Sequence, residues 1–165
     1  MSKKTLYIMC GPAGSGKSTW ATGHSDPAVS AVISRDKIRF SMVNVEDEYF
    51  SKETEVYNLF CKQIAEALDN GFVNVFADAT HLTRAARTKL LNKGFPTAGG
   101  LSHEDVDIIP VVICPSLETT LTQNAQREGR ECVPEAAIRN MYRSFQEPEL
   151  KEGKYAYSSI IKEVN

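Results

Sequence analysis

A glycine-rich octapeptide near the start of the chain carries the residue types that hold a nucleoside triphosphate. Gly11–Ser18 reads GPAGSGKS and matches the pattern G-x-x-x-x-G-K-[ST] in full. In such a loop, backbone N–H groups turn toward phosphate oxygens, and the N-terminus of the following helix adds partial positive charge. Lys17 can reach the β- and γ-phosphates, and the Ser18 hydroxyl can ligate Mg²⁺. The alternative is an ordinary turn that carries a solvated lysine.

The predicted donor site is the whole loop together with the residue after it: Gly11, Pro12, Ala13, Gly14, Ser15, Gly16, Lys17, Ser18 and Thr19. We expect ATP as the donor and Mg²⁺ as the metal ion. Lys17 also counts as a catalytic candidate, because it reaches the phosphoryl group that is transferred. The loop alone leaves open whether that group goes to water, a protein or a small acceptor.

A carboxylate ends an apolar, strand-like run further along the chain. The run Phe72–Ala77 is followed by Asp78, the expected acidic partner of a phosphate loop. Asp78 is expected to hold Mg²⁺ beside Ser18, directly or through water. Strands often end in aspartate for other reasons, so a helix cap or a turn is the alternative.

The segment Ser34–Arg39 (SRDKIR) follows another short apolar run and supplies a carboxylate for an acceptor. A hydroxyl acceptor needs a carboxylate that orients it and takes its proton, so Asp36 is the candidate general base and part of the acceptor site. Orientation matters more than basicity in a loose transition state, so Asp36 can act although neighbouring cations should keep it ionised. The alternative is a helix-capping aspartate among solvated charges.

Two further groups of arginines are candidates for contacts with phosphate. Arg127 and Arg130 follow the fourth predicted strand and its helix, and on a mobile segment they could close over the triphosphate. A solvated helix end is the alternative. Arg84 and Arg87 lie three residues apart on a predicted helix and share a face, so they bind acceptor phosphate or are surface charge.

The order of apolar and amphipathic segments predicts an α/β fold. Strands are expected at Leu6–Cys10, Ala31–Ser34, Phe72–Ala77 and Asp107–Cys114. Helices are expected from the Gly16–Thr19 region to about Gly23, at Glu46–Asn70, from about Thr83 to Asn92, after the cap Ser116, and from Pro134, with Ile138, Met141, Tyr142 and Phe145 on one face. This alternation predicts a parallel sheet of four to five strands with helices on both faces and a helical lid. Every motif falls at the carboxyl ends of the strands, where such sheets bind ligands.

The whole chain fits one domain over residues 1–165, with 42% apolar and 24% charged residues. No run is long enough to cross a membrane or to serve as a signal peptide, and the four cysteines are scattered without metal-ligand spacing. A cytoplasmic protein with reduced thiols is expected. The net charge of −2 argues against broad nucleic-acid binding but allows a small cationic patch that grips one strand end.

Four blocks, in this order, resemble the kinase domain of the phage-type 5′-polynucleotide kinases. They are Gly11–Trp20 (GPAGSGKSTW), Ser34–Arg39 (SRDKIR), Asp78–Leu82 (DATHL) and the segment NAQREGRECVPEAAIRNMY that starts at Asn124. The phosphate loop is shared with many families, whereas the full set, with its Val-Pro helix start and Arg-x-Met-Tyr, is far more specific. The resemblance extends from Leu6 to about Tyr142, nearly the whole chain.

The resemblance implies ATP and Mg²⁺ at Lys17 and Ser18, and a 5′-hydroxyl end of DNA or RNA as the acceptor. It implies that Asp36 is the general base, that Arg39 contacts the acceptor's phosphate, and that Arg127 is the catalytic arginine of the lid. The spacing between Arg127 and Val133 is one residue longer than in that family, so Arg130 remains a rival. His81 stands where an amide often follows the threonine, and it has no assigned role.

Two other functions fit the same motifs. A kinase of the same superfamily that acts on a nucleoside, a sugar or an antibiotic hydroxyl would share the loop, the aspartate and the lid. Arg39 and the Arg84/Arg87 pair favour a phosphate-bearing acceptor over these. A nucleotide-dependent switch or ATPase would leave Asp36 and Arg39 without a task, and it would consume ATP without any acceptor.

Overall fold

The computed structural model describes residues 3–163 of the chain. The strands, in chain order, are β1 (Lys4–Cys10), β2 (Ser30–Ser34), β3 (Asn74–Asp78), β4 (Val106–Ile113), β5 (Lys151–Glu152), β6 (Tyr155–Ala156) and β7 (Ile161–Glu163). The α-helices are α1 (Lys17–His24), α2 (Arg35–Met42), α3 (Glu53–Asp69), α4 (Arg84–Gly94), α5 (Leu117–Ala125) and α6 (Glu135–Ser144). Short 3₁₀ turns occur at His103–Asp105 and Gly129–Glu131.

Five parallel strands form the main sheet in the order β2-β3-β1-β4-β7. The side chains of β1 alternate between two apolar layers: Leu6 and Ile8 pack with α3 and α4, whereas Met9 packs with α1. Helices therefore cover both faces, as doubly covered parallel sheets require. This confirms the predicted α/β fold, and β7 supplies the fifth strand. The strands β5 and β6 form a separate antiparallel pair.

The long helix predicted at Glu46–Asn70 is shorter in the structure, where α3 begins at Glu53. The ten residues 43–52 form turns instead. An Asp47 carboxylate oxygen accepts from the Asn44 amide at 3.1 Å, and the Asp47 amide donates back to the Asn44 carbonyl at 3.1 Å. This pairing gives the backbone an alternative to the helix.

A helix that the periodicity did not predict, α2, directly follows β2. The Ser34 hydroxyl caps it by accepting from the Lys37 amide at 3.2 Å, and only Ile38 and Arg39 on α2 are buried. So short an apolar stripe explains why the pattern was missed. At the last helix, Pro134 is the N-cap and not the first helical residue, and Phe145 is the C-cap.

The carboxyl edge of the sheet collects the connections that carry the candidate residues. The glycine-rich loop follows β1, α2 follows β2, Asp78 ends β3, and α5 and α6 follow β4. Parallel pairing of β2, β3, β1 and β4 brings these points to one side of the molecule.

Candidate functional site

The glycine-rich loop runs between the buried end of β1 and the first turn of α1. A Cβ at Gly11 would lie 2.1 Å from the Ile113 carbonyl oxygen, so only glycine allows this approach of β1 and β4. Gly14 has φ of +78°, in the left-handed region that favours glycine. No side chain caps the N-terminus of α1, and its first turn has no acidic residue. Its backbone N–H groups are thus left for an anion.

Two buried polar side chains point to a ligand at this loop. The Lys17 ammonium donates to the Pro12 carbonyl at 2.7 Å, and burial lowers the pKa of Lys17 to about 8, with Asp78 and Asp36 opposing that fall. Within residues 3–163 the fully buried Ser15 hydroxyl has no hydrogen-bond partner. A bound triphosphate would restore both charge balance and hydrogen bonding, so the loop fits that group.

Ser18 and Asp78 place two hard oxygen donors beside the loop. The Ser18 hydroxyl donates to an Asp78 carboxylate oxygen at 2.7 Å. Burial raises the pKa of Asp78 above its usual value, and the Ser18 hydrogen bond and Lys17 oppose the rise. Mg²⁺ in phosphate sites takes one or two protein oxygens and completes its shell with waters and phosphates. The pair therefore fits Mg²⁺ held against a triphosphate.

Asp36 lies in the first turn of α2 and is held by an arginine. Arg39 forms an ion pair with Asp36 through Nη1, and it grips Glu53 with Nε at 2.9 Å and Nη2 at 2.8 Å. The Tyr49 hydroxyl lies 3.4 Å from Asp36 and 3.3 Å from Arg39. Arg35 pairs with the same Glu53 carboxylate. Glu53, which sequence reasoning did not select, thus orients both arginines around Asp36.

The network limits what Arg39 can offer an acceptor. Four of the five N–H groups of its guanidinium donate hydrogen bonds within the protein, and the residue is only 6% exposed. Asp36, in contrast, is exposed to the cleft. The geometry therefore makes Arg39 a residue that positions Asp36, and it leaves one Nη2 hydrogen for a contact with an acceptor phosphate.

The two lid arginines have different surroundings. Arg130 donates to the Val43 carbonyl at 2.5 Å, and its guanidinium lies 4.6 Å from the centroid of the Phe40 ring. Among the described residues, the Arg127 side chain has no hydrogen-bond or ion-pair partner, and it faces the cleft near Lys17. Arg130 thus anchors the lid to α2, whereas Arg127 is available to a ligand.

The lid consists of α5, α6 and the turn between them. Asn124 fixes its base, a role that sequence reasoning missed. Its amide exchanges two hydrogen bonds with the Val133 backbone, at 2.7 Å and 2.9 Å, which closes the loop between α5 and α6. A Cβ at Gly14 would lie 3.2 Å from the Asn124 Cβ, so the same residue also packs on the phosphate loop. On α6, the Met141 sulfur lies 3.4 Å from the Ala13 amide nitrogen.

Arg84 and Arg87, which we expected to bind an acceptor, lie outside the cleft. Arg87 is fully buried and binds Glu152 through two contacts of 2.8 Å, with further bonds to the His81 and Gln146 carbonyls. Arg84 pairs with Glu149 at 3.1 Å on the surface. The acceptor role is corrected for Arg87, which is buried and paired, whereas the exposed pair of Arg84 matches the alternative of surface charge. Both guanidinium groups join α4 to the segment around β5.

His81 has a structural role. Its Nδ1 lies 2.8 Å from the Met9 carbonyl oxygen, and its φ of +40° places the backbone in the left-handed region. Burial lowers the pKa of His81 to about 4, so the ring is neutral near pH 7 and donates from Nδ1. The imidazole thereby ties the turn after β3 to β1.

A cleft of about 1000 Å³ lies at the carboxyl edge of the sheet, and its size suits a nucleotide and part of an acceptor. Its walls include Lys17, Ser18, Asp36, Asp78 and Arg127. The structure therefore brings together the predicted donor site, metal ligands, general base and lid arginine. Within residues 3–163, no helix is long and apolar enough to cross a membrane.

Comparison with known proteins defines the family. A family profile described as AAA domain matches residues 6–148. No curated protein sequence matches the chain significantly.

Solved structures share the fold. A sugar kinase from Janibacter sp. HTCC2649 aligns with a TM-score of 0.63 at 17% identity, over 98% of this chain and 85% of its own. A fungal RNA kinase aligns with a TM-score of 0.70 at 13% identity, over 98% of this chain. A Pnkp1/Rnl/Hen1 RNA repair complex aligns with a TM-score of 0.66 at 20% identity, over 87% of this chain. This chain spans 38% of the RNA kinase and 44% of the RNA repair chain. The protein thus belongs to the AAA domain family and has the fold of the P-loop kinases.

Proposed function

We propose that this protein is an ATP-dependent kinase that transfers the γ-phosphate to the 5′-hydroxyl of a DNA or RNA end. The observation that carries the proposal is the position of Asp36, a carboxylate exposed in the same cleft as the phosphate loop and oriented by Arg39. A nucleotide switch would leave this oriented carboxylate without a task, whereas an ATPase would use it to orient water, and the acceptor dependence of ATP turnover separates an ATPase from a kinase. The resemblance of the four sequence blocks to phage-type polynucleotide kinases supports the choice of acceptor.

In the donor half of the cleft, Lys17, Ser15 and the N-terminus of α1 bind the triphosphate of ATP. Ser18 and Asp78 hold Mg²⁺, which when bound neutralises charge on the β- and γ-phosphates. Lys17 replaces its contact with the Pro12 carbonyl by contacts with phosphate oxygens. Because the Lys17 side chain is buried, its ammonium group is held in place and keeps the γ-phosphate in line with the acceptor hydroxyl.

In the acceptor half, Asp36 accepts a hydrogen bond from the 5′-hydroxyl and takes its proton as transfer proceeds. The hydroxyl oxygen bonds to the γ-phosphorus, and the bond from that phosphorus to the β–γ bridging oxygen breaks, which releases ADP. Arg39 holds the carboxylate in place, and Glu53 holds Arg39. Arg127 neutralises charge on the transferring group when the lid closes.

A small-molecule hydroxyl is the second candidate acceptor, and one observation favours it. Because four of the five N–H groups of Arg39 are engaged with Glu53, Asp36 and Tyr49, Arg39 offers at most one N–H to the phosphate of a polynucleotide. Similar folds occur in a sugar kinase and in a gluconokinase from Sinorhizobium meliloti 1021, as well as in the RNA kinase. Contacts with a DNA or RNA end would in any case be local, because the chain has a net charge of −2.

A transfer assay with matched oligonucleotides tests the proposal. We expect labelled γ-phosphate on an oligonucleotide with a 5′-hydroxyl and none on the same oligonucleotide with a 5′-phosphate. Lys17→Ala and Ser18→Ala should abolish transfer and leave the circular dichroism spectrum unchanged, since both side chains serve the triphosphate and not the core. ATP turnover that is equal with and without acceptor would indicate a switch or an ATPase and refute the kinase.

A further inference from the structure

An aromatic ring lies exposed in the acceptor half of the cleft. Phe50 is 66% exposed although it lines the cleft together with Asp36 and Arg39. It belongs to the turn segment 43–52, which also carries Val45, 78% exposed. A single exposed apolar residue is common on protein surfaces, but Phe50 lies in a concave cleft beside Asp36, and ligand clefts are lined by such aromatic side chains.

Phe50 is held in place by its neighbours. The Tyr49 ring meets it edge-on with centroids 4.7 Å apart, and the Arg39 guanidinium lies 5.3 Å from its centroid. Tyr49 in turn contacts Phe40 at 6.1 Å, and Arg130 lies against Phe40. Tyr49 and Arg39 therefore pack against the Phe50 ring, and the rest of the ring is exposed to a planar ligand group.

The polar groups around Phe50 already satisfy one another. Arg39 donates hydrogen bonds to Glu53, Asp36 and Tyr49, and Glu53 also forms an ion pair with Arg35. A site that recognises a sugar needs free donors and acceptors for several hydroxyls. The acceptor half of the cleft offers instead the Asp36 carboxylate and the aromatic ring of Phe50. An acceptor that carries both a planar ring and the reacting hydroxyl group fits that combination better than a polyhydroxylated chain.

We propose that Phe50 stacks on the terminal nucleobase of the acceptor while Asp36 binds the hydroxyl of the same nucleotide. This inference rests on the proposed kinase function and specifies how its acceptor is held. Stacking on an aromatic ring tolerates every base, because each base has a π-face. The enzyme therefore selects a nucleotide end without reading its sequence, and it does not depend on a free Arg39.

The test uses two 5′-hydroxyl oligonucleotides that differ only in whether the first nucleotide carries a base. For the wild-type enzyme, the abasic end should lower kcat/KM by about ten- to a hundredfold. Phe50→Ala should lower kcat/KM for the normal end by a similar factor and add little for the abasic end, since base and ring meet only each other. Phe50→Trp should retain efficiency, and the four natural terminal bases should differ by only a few fold.

Val45→Ala is the matched control, because Val45 is exposed on the same segment and lies outside the cleft lining. It should leave kcat/KM unchanged on both oligonucleotides. An equal loss on both ends in Phe50→Ala would mean that Phe50 acts on folding or lid closure, and it would overturn the stacking proposal. So would an abasic end that wild type accepts normally. If wild type labels no oligonucleotide at all, the proposed function itself fails, and this is seen before any variant is compared.

Discussion

At the scale of single residues, the reactive carboxylate depends on a chain of ion pairs. Asp36 is exposed to the cleft, Arg39 holds it, and Glu53 holds Arg39 from the first turn of α3. Arg39 is buried and engaged on both ends of its guanidinium, so its bidentate contact with Glu53 is geometrically fixed. In the proposed reaction, the acceptor hydroxyl would therefore be oriented by side chains that the acceptor need not touch.

Replacement of Asp36 separates the chemical step from donor binding. Asp36→Asn should lower kcat by about a hundredfold or more, because the amide cannot take the proton. The affinity for ATP should change little, since the Asp36 carboxylate bonds to Arg39 and Tyr49 and, within residues 3–163, not to the phosphate loop. Single-turnover transfer and nucleotide titration measure the two quantities. A collapse of ATP binding with a surviving rate at saturation would instead make Asp36 a structural or metal-binding residue.

The lowered pKa of Lys17 predicts proton uptake when ATP binds. In the free protein this pKa is about 8, so above that pH much of the lysine is neutral. Bound phosphate favours the ammonium and raises the pKa, so the affinity for ATP should fall as the pH rises through 8. Calorimetry at about pH 8.5, in two buffers with different ionisation enthalpies, measures the uptake. Heats that are independent of the buffer would contradict a neutral Lys17 in the free protein.

At the scale of elements, the lid is fastened at both ends and exposes one arginine. Asn124 ties α5 to Val133, and Arg130 ties the intervening turn to the end of α2. Tyr142 on α6 donates to the Pro115 carbonyl at 2.6 Å, which holds α6 against the start of α5. Arg127 lies between these fixed points and faces the triphosphate side of the cleft.

The two arginines of the lid should therefore differ in effect. Arg127→Ala should lower kcat by about a thousandfold, as loss of other cationic fingers does. Arg130→Ala should mainly raise KM for ATP, because it loosens the lid without removing the charge at the γ-phosphate. Steady-state kinetics of both variants decide between them. A larger loss of kcat in Arg130→Ala would show that the catalytic arginine is Arg130.

Sequence patterns predict the elements whose signals are local. The loop at Gly11–Ser18 sits between an apolar run and a helix start, so β1, the loop and α1 could all be placed. Segment 43–52 could not, because its turns depend on the Asn44–Asp47 pairing and on contacts of Tyr49 with Arg39. Tyr49 and Phe50 belong to this segment, so the aromatic part of the acceptor side had no sequence signal.

Contacts between distant residues explain the other misses. Arg87 looked like a surface cation because Arg84, Thr88 and Lys89 lie close to it in the sequence. Its partner Glu152 lies 65 residues away, and no local pattern links the two. Glu53 was hidden for the same reason, since it belongs to the helix that was predicted to begin earlier. The candidate phosphate-loop, metal and base residues could be selected from the sequence because the loop, Asp78 and Asp36 each lie at or just after the end of an apolar strand.

At the scale of the whole molecule, a buried ion pair fastens the C-terminal segment to the kinase fold. Arg87 on α4 and Glu152 on β5 are both buried, and the Tyr157 hydroxyl donates to the same carboxylate at 2.5 Å. The chain then continues into β7, which completes the sheet beside β4. The pair thus fastens the segment that leads into the edge strand, and neither Arg87 nor Glu152 lines the cleft.

Loss of this pair should unfold the protein more readily without changing the chemistry of the cleft. Arg87→Ala should lower the free energy of unfolding by about 3–5 kcal/mol, because it leaves the Glu152 charge buried and unpaired. Arg84→Ala, which removes an exposed pair, should cost less than about 1 kcal/mol. Urea denaturation measures both. If Arg87→Ala keeps its stability but loses acceptor binding, our correction for this residue is wrong.

The central claim is that ATP bound in this cleft gives its γ-phosphate to the 5′-hydroxyl of a polynucleotide, with Asp36 as the general base. A competition experiment tests it most directly: γ-labelled ATP is offered to equal amounts of a 5′-hydroxyl oligonucleotide, a nucleoside and gluconate, with Asp36→Asn in parallel. We expect the label on the 5′ end of the oligonucleotide, and its loss by about a hundredfold in the variant. Label on the nucleoside or gluconate, or released as inorganic phosphate at the same rate without acceptors, would contradict the claim.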